Sequence, residues 1–257
     1  AYRDGATRWS SAASSHLQVP AASLFAGTGQ GVNAAGETAV FQGMVDAAWD
    51  LLDMVSGVTF NTGGVGCSFY SRVYEALTPP LVAQRSGPVH SATKAMFLEA
   101  CAEDEVVMFA GHGGAVSAER PYRLILECGN PDESVTFEDI VPGSMTQCKL
   151  VYLGCCHGLD LDVEFQSQVI GYRMWSTGGA HAIIGYNGSA VMGGEDGCGA
   201  EWLSERTWIY LRNGAASGSA VDYAKQDWAD TFPAQDPAEW GVDAYTSLGS
   251  ATIAPAF

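Results

Sequence analysis

The sequence predicts an α/β fold, a mostly parallel sheet with helices on both faces, and three observations carry that reading. Apolar runs at 106–110, 150–153 and 180–186, the last interrupted only by His181, have the length of strands buried on both sides, with little of the alternation a half-exposed strand shows. Segments with helical apolar spacing lie between and beyond those runs, which is the pattern of βα units. Two of the runs stop at small residues and lead directly into His112 and into Cys155, Cys156 and His157. The carboxyl ends of strands are where open α/β sheets bind ligands.

Taken in order, residues 1–35 are rich in Ala, Ser and Gly and are the least patterned part, with a weak strand signal at His16 to Val19. Thr38 to Ser56 is the clearest helix: Phe41, Met44, Val45, Ala48, Leu51, Leu52 and Val55 recur at helical spacing, and Gly57 follows as a C-terminal cap. Val58 to Phe60 reads as a short strand, and Asn61 to Pro88 as a long Gly- and Pro-punctuated excursion. Ser91 caps a second predicted helix that ends near Ala102, ahead of the strand Val106 to Ala110. Tyr122 to Cys128 alternates like a half-exposed strand, and Phe137 to Ile140 forms a helical turn before the Cys-bearing strand. A helix over about Glu164 to Ser176 is predicted next, then the strand Ala180 to Tyr186 and a Gly-rich acidic loop at Gly193 to Gly199. Helices follow at Glu201 to Arg212 and about Ser219 to Ala229. No composition shift marks a boundary or a repeat, so residues 1–257 read as one domain, large enough to bury a substantial core.

Composition narrows the function classes. The net charge is −17, from 29 acidic and 12 basic residues, and lysine occurs only at 94, 149 and 225. A nucleic-acid partner would require a basic patch, so that class is excluded, whereas an acidic field favours cationic ligands. No apolar run approaches the ~20 residues that span a bilayer, and no signal-peptide core is present. The chain begins with Ala, which fits removal of a leader or propeptide as well as simple trimming. With one of the seven cysteines reserved as a nucleophile, six remain for up to three disulfides, so the expected location is extracellular, with the cytoplasm as the alternative.

The chemistry concentrates at the two strand ends. A thiol becomes a strong nucleophile beside a base that takes its proton, and the two must meet in space rather than in sequence. Cys156 is the expected nucleophile and His112 the expected acid/base. The N–H groups of Gly113 and Cys156 are the expected oxyanion donors, because both follow strand ends. Asp160 and Asp162, and Tyr186 and Asn187 at the end of the next strand, are candidates for substrate binding. Alternatively, Asp160, Asp162 and Glu164 form a solvated face or hold Ca²⁺. Glu195 and Asp196 are read in the same way. Zinc is disfavoured at Cys155, Cys156, His112 and His157, which lack a paired CxxC. No cofactor is expected to be required. His181 reads as a core residue, and Trp175, Trp202, Trp208 and Trp228 as core rather than binding platforms.

The two motifs, VVMFAGHGG at 106–114 and LVYLGCCHG at 150–158, resemble the His-Gly and Cys motifs of caspase-like (clan CD) cysteine peptidases. That group includes caspases, metacaspases, gingipains, legumains and bacterial CHAT domains. The Cys motif is most similar to the metacaspase pattern Asp-Cys-Cys-His-Ser-Gly, from which it departs at Gly154 in place of Asp and Gly158 in place of Ser. The segments VTFEDI, GGAHAIIGYNG and WIYLRNGAASGSAVDYA resemble the CHAT segments around the Cys strand and the closing helix pair, so the likeness runs over roughly residues 38–230. The resemblance implies a caspase-like three-layer sandwich and peptide-bond hydrolysis by a Cys/His dyad through an acyl-enzyme, with no obligatory third residue. A non-catalytic binding module on the same fold, or a transpeptidase or ligase using the same dyad, are the alternatives. Oligomeric state is left open.

Overall fold

The computed structural model describes residues 21–28, 34–52, 58–60, 72–74, 83–89, 93–114, 122–126, 130–191 and 198–253. In chain order the elements are β1 (Ala21–Ala26), α1 (Ala34–Leu52), β2 (Val58–Phe60), β3 (Arg72–Tyr74), β4 (Ala83–Val89), α2 (Lys94–Glu103), β5 (Val106–Ala110), β6 (His112–Gly114), β7 (Arg123–Ile125), β8 (Ser134–Thr136), β9 (Leu150–Gly154), α3 (Ile170–Arg173), β10 (Ala182–Tyr186), α4 (Ala200–Arg212), α5 (Ser217–Thr231) and β11 (Tyr245–Gly249). The main sheet has the order β11-β10-β9-β5-β1-β4, parallel throughout except for β11.

This order explains why both faces are covered. The chain steps from β1 outward to β4, then back across β1 to β5, and on in that direction to β9 and β10. Right-handed crossovers in opposite directions put their connecting segments on opposite faces. The residues of each strand divide accordingly. Leu24, Val106, Met108, Leu150, Tyr152, Ile184 and Tyr186 pack with α1, α4 and α5 in one core. Phe25, Val107, Phe109, Val151, Leu153 and Ile183 pack with α2, α3 and the turns around 140–148 in the other. Every residue of β5, β9 and β10 is buried, which is what their unbroken apolar runs require.

Several boundaries differ from the sequence expectation. β1 lies in the interior of the sheet, yet AASLFA has no β-branched residue and gives no strand signal; its neighbours on both sides make it a strand. The weak strand expected at His16 to Val19, together with His16, His90, Glu195 and Asp196, lies outside the described residues. α1 starts at Ala34, one turn earlier than expected, and its first turn carries Glu37. The excursion after residue 60 contains β3 and the edge strand β4. The helix expected over 164–176 is only the short α3, followed by a π-turn at Met174–Gly178 that Gly179 ends in the left-handed conformation. Phe165, which an amphipathic helix there would bury, is 57% exposed. β11 was not expected at all; it closes the sheet edge beside β10. Trp202, Trp208 and Trp228 are core residues, but Trp175 lies at the surface, and His181 is exposed one residue before β10 rather than inside a strand.

Candidate active site

β5 and β9 are adjacent parallel strands in register, Ala110 opposite Gly154, and the Gly111 N–H donates to the Gly154 carbonyl. The residues that follow, His112 on one side and Cys155–Cys156 on the other, therefore emerge side by side at the carboxyl edge of the sheet. Glycine makes this approach possible. A Cβ on Gly113 would overlap the Cys156 carbonyl and crowd the Cys155 sulfur, so at this position only glycine lets the two chains touch.

The metacaspase-like positions that differ here have packing reasons. A Cβ on Gly154 would sit 3.1 Å from the Met44 methyl and 3.3 Å from the Phe109 carbonyl; one on Gly158 would sit 3.1 Å from both Cys155 Sγ and Leu153 Cβ. Met44 of α1 and Leu153 of β9 fill the space that an Asp and a Ser would need.

His112 is held from α1. Its Nε2 lies 2.9 Å from Glu37 Oε2, and Phe41, one helical turn further along, packs its ring edge-on at 5.1 Å. A carboxylate only accepts, so the proton of a neutral imidazole resides on Nε2 and Nδ1 presents its lone pair. Glu37 is a neighbour of His112 that the sequence expectation does not include. The signal was an acidic residue one turn before a strong amphipathic stripe, and it was hidden by starting the helix at Thr38.

The two adjacent cysteines differ sharply. Cys155 is buried, and burial, followed by the neighbouring Cys156 and Asp160, pushes its thiol well above the ordinary range. It is a neutral packing group. Cys156 is half-buried and free of any disulfide. Its Sγ accepts from the Ala190 N–H at 3.3 Å and donates to the Ala190 carbonyl at 3.6 Å. The turn continues through His157, the one described non-glycine residue with positive φ (57°), whose Nδ1 lies 2.9 Å from Asp160 Oδ2. The expected oxyanion donors, Gly113 and Cys156, lie against each other through the Gly113 Cα and the Cys156 carbonyl.

The substrate-binding candidates separate into two kinds. Tyr186 is fully buried among Tyr152 and Tyr245, so it is a core residue and not a substrate contact. Asp160 is 5% exposed and faces inward to His157, so it is not part of a solvated face. Asp162 stays at the surface, where Asn187 Nδ2 donates to it at 2.9 Å while Asn187 Oδ1 accepts from the Leu161 N–H. Glu164 is exposed. Among the described residues, no group of three or more His, Cys, Asp or Glu side chains is arranged to hold a metal ion, and no helix is long and apolar enough to cross a membrane. The expectation of up to three disulfides does not hold. Cys101, Cys148, Cys155 and Cys156 are free thiols, and removing four from seven leaves cysteines for one bridge at most.

No family model matches the sequence, and no curated protein matches it. Among solved structures, the Arg-specific cysteine proteinase gingipain R (RGPB) aligns with 91% of this chain and 46% of its own length, at 10% identity and a TM-score of 0.49. A second structure, described as a protease, aligns with 91% of this chain and 48% of its own length, at 12% identity and a TM-score of 0.51. The chain thus spans about half the length of each. The likeness is one of fold: a mostly parallel sheet between two helical layers, the architecture that the resemblance to caspase-like cysteine peptidases implies.

Proposed function

We propose that this chain is a cysteine endopeptidase in which Cys156 is the nucleophile and His112 the acid/base. The observation that supports this reading most is the register of β5 and β9, which brings a half-buried thiol and a carboxylate-held imidazole to one edge of the sheet. In the reaction, Nδ1 of His112 takes the thiol proton, and the sulfur forms a bond to the scissile carbonyl carbon. The carbonyl oxygen gathers charge facing the N–H groups of Gly113 and Cys156. Collapse breaks the C–N bond as His112 returns the proton to the leaving amine, and a water molecule, deprotonated by His112, releases the acid and restores the thiol. Glu37 keeps the imidazole in the tautomer that can accept at Nδ1. Asp162, steadied by Asn187 and exposed near the nucleophile turn, is the carboxylate available to a basic substrate side chain.

Replacing Cys156 with Ala, and separately His112 with Ala, tests the assignment by cleavage of a peptide library and by self-processing. Each change should lower kcat/KM by about 10³-fold or more, the scale of nucleophilic and acid/base contributions. Full activity in either variant refutes it.

A further inference from the structure

The turn that carries the nucleophile is bonded to the segment after β10 in a regular ladder. Leu159 N–H donates to the Tyr186 carbonyl at 3.0 Å, and His157 N–H donates to the Gly188 carbonyl at 2.6 Å. Each step of two residues back along the turn matches a step of two forward along the partner. The next rung would join the backbone of residue 155 to Ala190. In its place the Cys156 side chain occupies both polar groups of Ala190, with Sγ accepting from the N–H and donating to the carbonyl. A thiol has a single proton, and while Ala190 holds it that proton is not directed at His112. The imidazole in turn is bonded to Glu37 and not to the sulfur.

We propose that the Gly188–Val191 strap is a latch that parks the Cys156 thiol on Ala190 and away from His112, so that the resting site is closed and the first step of the cycle is release of the thiol to His112. The inference rests on the peptidase reading and adds a regulatory state to it. The strap is fixed from behind: Ala200 N–H donates to the Val191 carbonyl at 2.8 Å, Asn187 N–H donates to the Ala244 carbonyl at 2.7 Å, and Gly241 packs against the Ser189 carbonyl with no room for a Cβ. The mobile part is therefore the Cys156 side chain, which leaves by rotation about χ1. Whatever shifts the N-terminus of α4 or the turn before β11 acts on the latch through these bonds. On release the S–H bond breaks and the proton passes to Nδ1.

Main-chain amide-to-ester replacement tests the latch without altering a side chain. Incorporating the α-hydroxy analogue of valine at 191 turns the Ala190 carbonyl into a weaker ester acceptor, and the α-hydroxy analogue of alanine at 190 removes its N–H. The S–H infrared band of Cys156, isolated as the difference between the chain and its Cys156→Ala variant, should lie below the unbonded-thiol position and move toward it in the 191 ester. Iodoacetamide should alkylate Cys156 in the 191 ester roughly two- to tenfold faster, the factor carried by one hydrogen bond of ordinary net strength. An absent band, a band already at the unbonded position, or an alkylation rate unchanged or slowed by the ester overturns the latch. These readouts need no substrate, so they separate the two ideas. A shifted band in a chain that cleaves no peptide removes the peptidase reading alone, and peptide cleavage with an unbonded band removes the latch alone.

Discussion

The two ends of β9 carry the same side chain in opposite circumstances. Before the strand, Cys148 is fully buried and its Sγ donates to the Leu150 carbonyl at 3.5 Å. Burial pushes its thiol up to about 12, a rise to which the nearby carboxylates of Asp104 and Glu105 add. Cys101, buried nearby on α2, is raised for the same reason. After the strand, Cys156 is half-exposed at the sheet edge with His112 just beyond the end of the neighbouring strand β5 and Ala190 at its sulfur. The amino ends of parallel strands are sealed by the turns that feed them, whereas the carboxyl ends open outward and meet helix starts, here Glu37 in the first turn of α1. Reactivity follows from the end of the strand that a cysteine occupies, not from the cysteine itself.

The widest contrast should appear in thiol labelling. With a small alkylating agent at neutral pH, Cys156 is expected to react at least about a thousandfold faster than Cys101, Cys148 or Cys155, because a buried thiol reacts only through openings that cost several kcal/mol. Peptide mapping by mass spectrometry measures this, and comparable rates at both ends of β9 would erase the distinction.

A change at the open end alone should come next in size. Gly113→Ala forces apart the backbones that carry His112 and Cys156, and a displacement of about an ångström costs about a hundredfold in kcat/KM. Stability should fall by about 1–3 kcal/mol from the overpacking. An alanine variant with normal activity would mean that the close approach of the two strand ends has no role in the chemistry.

Glu37→Gln should lower kcat/KM by roughly tenfold, part of what a positioned acid/base contributes, while leaving the melting temperature nearly unchanged. Glu37→Asp should restore less than the wild-type rate, since the shorter side chain retracts the carboxylate. Equal activity in all three forms would remove Glu37 from the site.

A last contrast, confined to alkaline pH, belongs to the sealed end. The folded-state pKa of Cys148 lies above its unfolded value, so the native chain holds the thiol proton more tightly. That contribution to stability is complete below the unfolded pKa of roughly 8.5 and is lost as pH rises toward the folded value, at about 1.4 kcal/mol per pH unit for this group. Urea unfolding followed through that alkaline window should give a shallower loss of stability in Cys148→Ala than in the wild type. Parallel slopes would show that Cys148 ionises as readily in the folded chain as in the unfolded one.

Much of this arrangement was legible in the residues. Continuous apolar runs identify β5, β9 and β10 because a strand covered on both faces tolerates no polar position, and the Gly residues around His112 and Cys156 signal close backbone approach. Other parts were not. β1 consists of small residues that carry no strand preference and becomes a strand because β4 and β5 flank it. Tyr186 and Asp160 look like exposed site residues from their place in the chain, and both turn inward.

The amino-acid sequence by itself determined the α/β class and the two buried strands that lead into His112 and Cys156, because burial on two faces and small residues at strand ends leave a local imprint. The tertiary structure alone decided that Glu37 steadies the imidazole, that Cys155 is a packing group while its neighbour is not, and that Ala190 holds the sulfur. Each of those depends on contacts between segments far apart in the chain, where the distance between two groups is set by the packing of whole elements and leaves no local pattern.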